Sequence, residues 1–323
     1  MKFEIPKALR LREERICSAL RQAGGMGGAT GEAAELLEAI LLPHLAKERA
    51  DLLQPLGLLR RLARGEVTSE MGQVLPQIDR LKHDLHDLRV EHATILSALR
   101  HFVAAARAEG KQEEARFAER LLFRAWLDES VFTPLAILIG EHLERRLKQR
   151  SEMAPAACPS PRAPAKLELP EALQLSHARL SATLTEISRK GGRTTAVADM
   201  IGKILKPHLE QEDEKVLRIL GLLAPMAAGQ VDPEWIKDDS EWEELERNES
   251  TLHLEHQKLV RMGEELLAIA RAEDARDVLD FAERLLLRIR LDEEVFYPAA
   301  LFVRNHLRLR AGKEDLERPS VLS

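Results

Sequence analysis

The stretch Ile201–Leu220, IGKILKPHLEQEDEKVLRIL, decides the fold. Ile201, Leu205, Val216, Ile219 and Leu223 keep a helical period, the apolar stripe of an amphipathic helix turned toward a core. His208 and Glu212 lie on the same stripe, one turn apart. An imidazole and a carboxylate facing a core together are costly to bury unless something binds them. Pro207 removes a backbone donor in mid-helix and predicts a kink there. Residues 37–56, LLEAILLPHLAKERADLLQP, repeat the pattern, with Pro43, His44 and Glu48 in the same places.

The repetition extends along the whole chain at a constant offset of 164 residues. IPKALRL (5–11) matches LPEALQL (169–175), FAERLLFR (117–124) matches FAERLLLR (281–288), and LDESVFTP (127–134) matches LDEEVFYP (291–298). Segments this far apart keep one offset only if the loops of the two halves are nearly equal in length, which predicts two copies of one fold. The first copy takes residues 1–150 and the second 167–311. The Pro- and Ala-rich stretch at 151–166 reads as a semi-extended linker, and 312–323 as a polar tail.

Composition agrees with an all-α reading. Leu, Ala, Glu and Arg dominate, and aromatic residues make up 4% of the 323 residues. The net charge of −6 is mild and both signs alternate along the helices, which argues against a nucleic-acid surface. Cys17 and Cys158 are the two cysteines, too few for a disulfide framework. No apolar run approaches the roughly 18 residues of a membrane span, and MKFEIPKALR lacks the apolar core of a signal peptide. These features predict a cytoplasmic protein.

Each half divides into four amphipathic segments, in the first at about 6–21, 31–65, 74–107 and 112–148, with Gly65 and Gly229 as helix-ending glycines. Short connections predict an up-down four-helix bundle in each half, an architecture whose metal sites are built in the core from facing helices. Further polar residues interrupt the apolar stripes. His92 and His256 sit on the third segment, Asp128 and Asp292 on the fourth, and His177 on the first segment of the second half, where the first half has Glu13. Imidazoles with carboxylates are a ligand set for iron, manganese or zinc. Glu293 reads as a solvated neighbour of Asp292, and Tyr297, matched by Thr133, as a packing residue.

With these residues in these places, each half resembles a hemerythrin-like (HHE) cation-binding domain, over about 145 residues. The resemblance implies a non-haem di-iron centre in each half. Its ligands would be His177, His208, Glu212, His256 and Asp292 in the second half, and Glu13, His44, Glu48, His92 and Asp128 in the first, the more degenerate of the two. It implies a protein that senses or handles iron, oxygen or nitric oxide and is no obvious enzyme. It leaves a protein partner or a homodimer open and gives no role to nucleic acid or membrane.

Both halves depart from the family at one position. Arg124 and Arg288 stand where the resemblance calls for a histidine on the fourth helix. A guanidinium keeps its proton and has no lone pair for a metal. Each arginine lies four residues before its aspartate and is expected to turn inward and pair with it. Two readings follow: an incomplete iron centre, or a metal-free helical interaction protein in which Arg124 and Arg288 replace the metal charge.

Overall fold

The computed structural model describes residues 3–151, 169–232, 235 and 239–312. Cys158, the Pro/Ala-rich stretch after residue 151 and the tail after residue 312 lie outside the described residues. Among the described residues every regular element is helical, and no helix is long and apolar enough to cross a membrane. In chain order the α-helices are α1 (Lys7–Gly24), α2 (Gly28–Lys47), α3 (Leu53–Leu56), α4 (Leu59–Ala63), α5 (Leu75–His83), α6 (Leu85–Ala108), α7 (Gln112–Leu127) and α8 (Thr133–Ser151). They continue as α9 (Glu171–Ser188), α10 (Arg193–Glu212), α11 (Arg218–Leu220), α12 (Leu223–Ala227), α13 (Asp239–Ala272), α14 (Arg276–Leu291) and α15 (Tyr297–Arg310).

These helices divide between two compact units. The first takes residues up to Leu59 and from Val67 through α8; the second takes Arg60–Glu66 and the residues from α9 onward. In the first unit α2 packs against α1 and α6, and α6 against α7, around Leu20, Leu37, Phe102 and Leu121. In the second, α10 packs on α9 and α13, α13 on α14, and α14 back on α9, so four helices enclose Leu184, Ile201, Leu266 and Phe281. Burying a side chain of this size contributes roughly 1.5–3 kcal/mol, so the stripes read from the sequence account for why these helices associate.

The helices are not continuous over the segments the periodicity suggests. α2 and α10 run through Pro43 and Pro207, and the departure from α geometry comes one turn later. A π-helical turn occupies Glu48–Leu52 in the first unit and Asp213–Leu217 in the second. A second π turn falls at Asp128–Phe132 and at Asp292–Phe296, closed by the amide of Thr133 on the Asp128 carbonyl and of Tyr297 on the Asp292 carbonyl. Such turns insert a residue and re-aim the side chains around them, and they concentrate at functional sites. All four include or adjoin a candidate ligand. Gly65 and Gly229 end their helical stretches with φ of 75° and 81°, a conformation that favours glycine, and the amides of Glu66 and Gln230 close back on Arg61 and Pro225.

Candidate metal centre

In the first unit α2 and α6 bring His44, Glu48 and His92 together, all buried. His44 Nε2 is 3.1 Å from Glu48 Oε1 and 3.0 Å from His92 Nε2, and His92 Nε2 is 3.7 Å from the same Oε1. The second unit repeats the arrangement on α10 and α13. His208 Nε2 and His256 Nε2 are 2.9 Å apart, at 3.6 and 3.9 Å from Glu212 Oε1. In each unit three donor atoms thus converge on one point.

The outward nitrogen fixes the tautomer of one ring in each pair. His44 Nδ1 lies 2.8 Å from Glu91 Oε2, and His208 Nδ1 lies 2.8 Å from Glu255 Oε2. A carboxylate accepts, so these Nδ1 atoms carry hydrogen and a neutral ring turns its Nε2 lone pair inward. That lone pair accepts a hydrogen from the facing imidazole nitrogen or binds a cation placed among the three donor atoms. Burial would lower the His44 and His208 pKa values, but hydrogen bonds and charge from Glu48 and Glu91, and from Glu212 and Glu255, outweigh it and raise both. The surroundings of these two rings thus favour positive charge at the position that a metal ion would fill.

The other carboxylate oxygen of each glutamate faces an arginine. Arg124 donates from Nη2 to Glu48 Oε2 at 2.6 Å and from Nε to Asp128 Oδ2 at 3.0 Å. Arg288 donates from Nε to both oxygens of Asp292, at 2.7 and 2.9 Å, and from Nη2 to Glu212 Oε2 at 3.4 Å. Both arginines are buried and lie inward, on the stripe. Burial would raise the Glu48 carboxyl, yet Arg124, His44 and His92 hold it far below the usual carboxylate range. Glu212 is held low in the same way, by His177, His208 and Arg288 against burial. One guanidinium shared between two buried carboxyls does not fully compensate the second. Burial, opposed by Arg288 and reinforced by Glu212, pushes Asp292 up to about 6, and Asp128 is raised for the same reasons.

The first helix of each unit carries a compensated exchange. His177 on α9 approaches Glu212 Oε2 with Nε2 at 3.3 Å and Asp213 Oδ1 with Nδ1 at 2.9 Å, although neither ring nitrogen makes an aligned hydrogen bond. In the first unit Glu13 replaces that histidine and Arg49 replaces Asp213. Arg49 donates to Glu13 Oε2 from Nε at 3.0 Å and Nη2 at 2.6 Å. Arg12, opposite Ser176, adds a further guanidinium, which burial pushes down to about 10 against the pull of Asp128. Glu13, Asp128 and Asp292 are thus engaged by arginines, while His177 stands at the edge of its centre.

Four participants escape the apolar stripes. Glu91 and Glu255 each precede a stripe histidine and reach back to the histidine of the neighbouring helix; the repeated pair Glu–His was their signal in the sequence. Tyr297, read from the sequence as packing, donates its hydroxyl to Glu212 Oε1 at 2.6 Å. Glu293, read as solvated, lies 2.9 Å from His253 Nδ1 and 3.4 Å from His256 Nδ1. Beside the first centre a cavity with room of about 20 Å³ for water-sized occupants is walled by Leu41, Ile95, Leu99 and Leu121. That is enough for a water molecule.

The chain matches no family model, no curated protein and no solved structure. What the centres do is argued from their own chemistry.

The donor sets fit a metal ion. Two nitrogens 2.9–3.0 Å apart are spaced as neighbouring ligands about 2.1 Å from one cation. Two imidazoles and one carboxylate on one face, with positions left open, is a set that suits non-haem iron(II). The guanidinium on the far carboxylate oxygen repels any further cation on that side.

Proposed function

We propose that the protein is a hemerythrin-like metal-binding protein built of two tandem four-helix bundles, each holding a single non-haem iron ion. His44, Glu48 and His92 hold it in the first bundle and His208, Glu212 and His256 in the second. The observation that carries this reading is the pair of buried imidazole nitrogens at 2.9–3.0 Å, backed at Nδ1 by Glu91 and Glu255. Two neutral rings so arranged share one Nε2 hydrogen, and a bound cation would take the place of that hydrogen. Arg124 and Arg288 replace the second ion of a two-ion centre, so the charge-replacement reading holds for one cation position in each bundle and not for both.

When bound, the ion supplies open coordination positions for a small ligand such as oxygen or nitric oxide. The residues of the chain do the rest. Glu91 and Glu255 hold His44 and His208 in the tautomer that would ligate, and the arginines keep Glu48 and Glu212 ionised. Leu41, Ile95, Leu99 and Leu121 keep the cavity beside the first centre largely apolar.

Calorimetric titration of the metal-free chain with iron(II) under nitrogen tests the reading. Wild type is expected to bind and to release protons as the imidazoles exchange hydrogen for metal. His92→Ala together with His256→Ala is expected to abolish binding. Equal heats for the two proteins would refute the assignment.

A further inference from the structure

We propose that Tyr297 is a fourth ligand of the second centre, where its phenolate oxygen joins His208, His256 and Glu212 and makes that centre selective for a ferric ion. The inference rests on the metal-binding reading above and goes beyond it by giving the two centres different chemistry.

The placement comes from the backbone. The π turn Asp292–Phe296 widens the helix by one residue, so Tyr297 follows Asp292 around nearly a full revolution and faces the same centre. Its ring stacks on His256, with centroids 5.3 Å apart and planes inclined at 12°. The hydroxyl oxygen is 2.6 Å from Glu212 Oε1 and 3.3 Å from His256 Nε2. These are two of the three atoms on which the candidate ion would sit, and Oε1 is the oxygen that faces the imidazoles, not the one that faces Arg288. The side chain is buried, so no solvent competes for its oxygen.

The charge argument points the same way. With Glu212 as the one anionic donor, a divalent ion is well matched; a second anionic oxygen shifts the preference to a trivalent one. The phenol proton passes to solvent as the iron–oxygen bond forms, and no electron is transferred. The first centre has Thr133 at the matching position, whose alcohol does not ionise in water, and it keeps the preference for iron(II).

Tyr297 is the single tyrosine of the chain, so a ferric–phenolate signal has one source. The test is to supply the full chain with iron(III) citrate, desalt it, and record iron content, visible absorption and resonance Raman spectra, with and without ring-deuterated tyrosine. The expected result is retained iron with a visible charge-transfer band and phenolate ring modes that shift on deuteration. Tyr297→Phe should lose the band and retain ferric iron at least about tenfold more weakly, and His92→Ala should leave the band intact. Iron retained in the His92→Ala chain without a band would overturn this inference while leaving the metal assignment standing. Failure of wild type to bind iron in either oxidation state would overturn both.

Discussion

Replacing Arg124 with Met isolates the contribution of the guanidinium at nearly constant shape. Arg124 is buried and spans Glu48 and Asp128 at 2.6 and 3.0 Å. Without it two carboxyls stay in the core, with Arg12 and the two imidazoles as their remaining compensation. Removing one partner of a buried ion pair costs about 3–5 kcal/mol. For a unit of this size that corresponds to a fall in melting temperature of roughly 6–20 °C at pH 7. The loss depends on pH. The Glu48 pKa is depressed in the folded protein, so its contribution in wild type is complete above the unfolded value of 4.5 and is lost only as pH falls toward the folded one. In Arg124→Met the Glu48 carboxyl loses its main compensating charge and Asp128, already raised in wild type, is expected to rise further, so the variant should regain stability as pH falls from 7 to 5. Calorimetric melting of metal-free wild type and variant at both pH values checks this. A melting point within about 2 °C of wild type at pH 7, or a gap that widens at pH 5, would refute the view that the arginine compensates buried charge.

Three further outcomes are expected. Arg288→His exchanges the guanidinium for a ligand, so the metal-free variant should melt lower than wild type and iron(II) should raise it by more than it raises wild type; an unchanged response would show that the second cation position is no longer shaped for metal. Glu255→Gln keeps the hydrogen-bond distance to His208 but removes the carboxylate charge, and should weaken iron(II) binding by roughly 10–100-fold; unaltered affinity would count against its positioning role. Burial lowers the pKa of His142 from 6.5 to about 3, so the folded state excludes a proton that the unfolded chain accepts. Stability should fall as pH drops below 6.5, by about 2 kcal/mol at pH 5 from this residue alone, and urea unfolding of His142→Leu should show a shallower pH dependence; equal slopes would contradict it.

The helices and their inward faces were legible because a 3.6-residue period writes itself directly into the sequence. His44 with Glu48, and His208 with Glu212, were legible for the same reason, since each pair is spaced by one turn. The π turns were not. A five-residue turn is chosen by the packing of its neighbours, and DESVF and DEEVF carry no local mark of it. Glu91 and Glu255 lie off the stripes of their own helix and act on a histidine of another, a relation that only the packed helices define. Tyr297 reads as packing from its counterpart Thr133, and its hydrogen bond to Glu212 was not legible; the comparison between copies that brings out the candidate ligands conceals the residue in which the copies differ. Glu13 in place of His177 was legible at the 164-residue offset, whereas the matching change of Asp213 to Arg49 gains its meaning only from the contacts these residues make across helices.

The claim that an arginine stands in for the second cation of each centre is tested most directly by counting iron. The full chain, loaded with iron(II) under nitrogen, desalted and oxidised, is predicted to carry one iron per unit, and magnetic resonance should show isolated high-spin ferric ions. Two irons per unit, magnetically coupled, would contradict the account, and so would a chain that carries none.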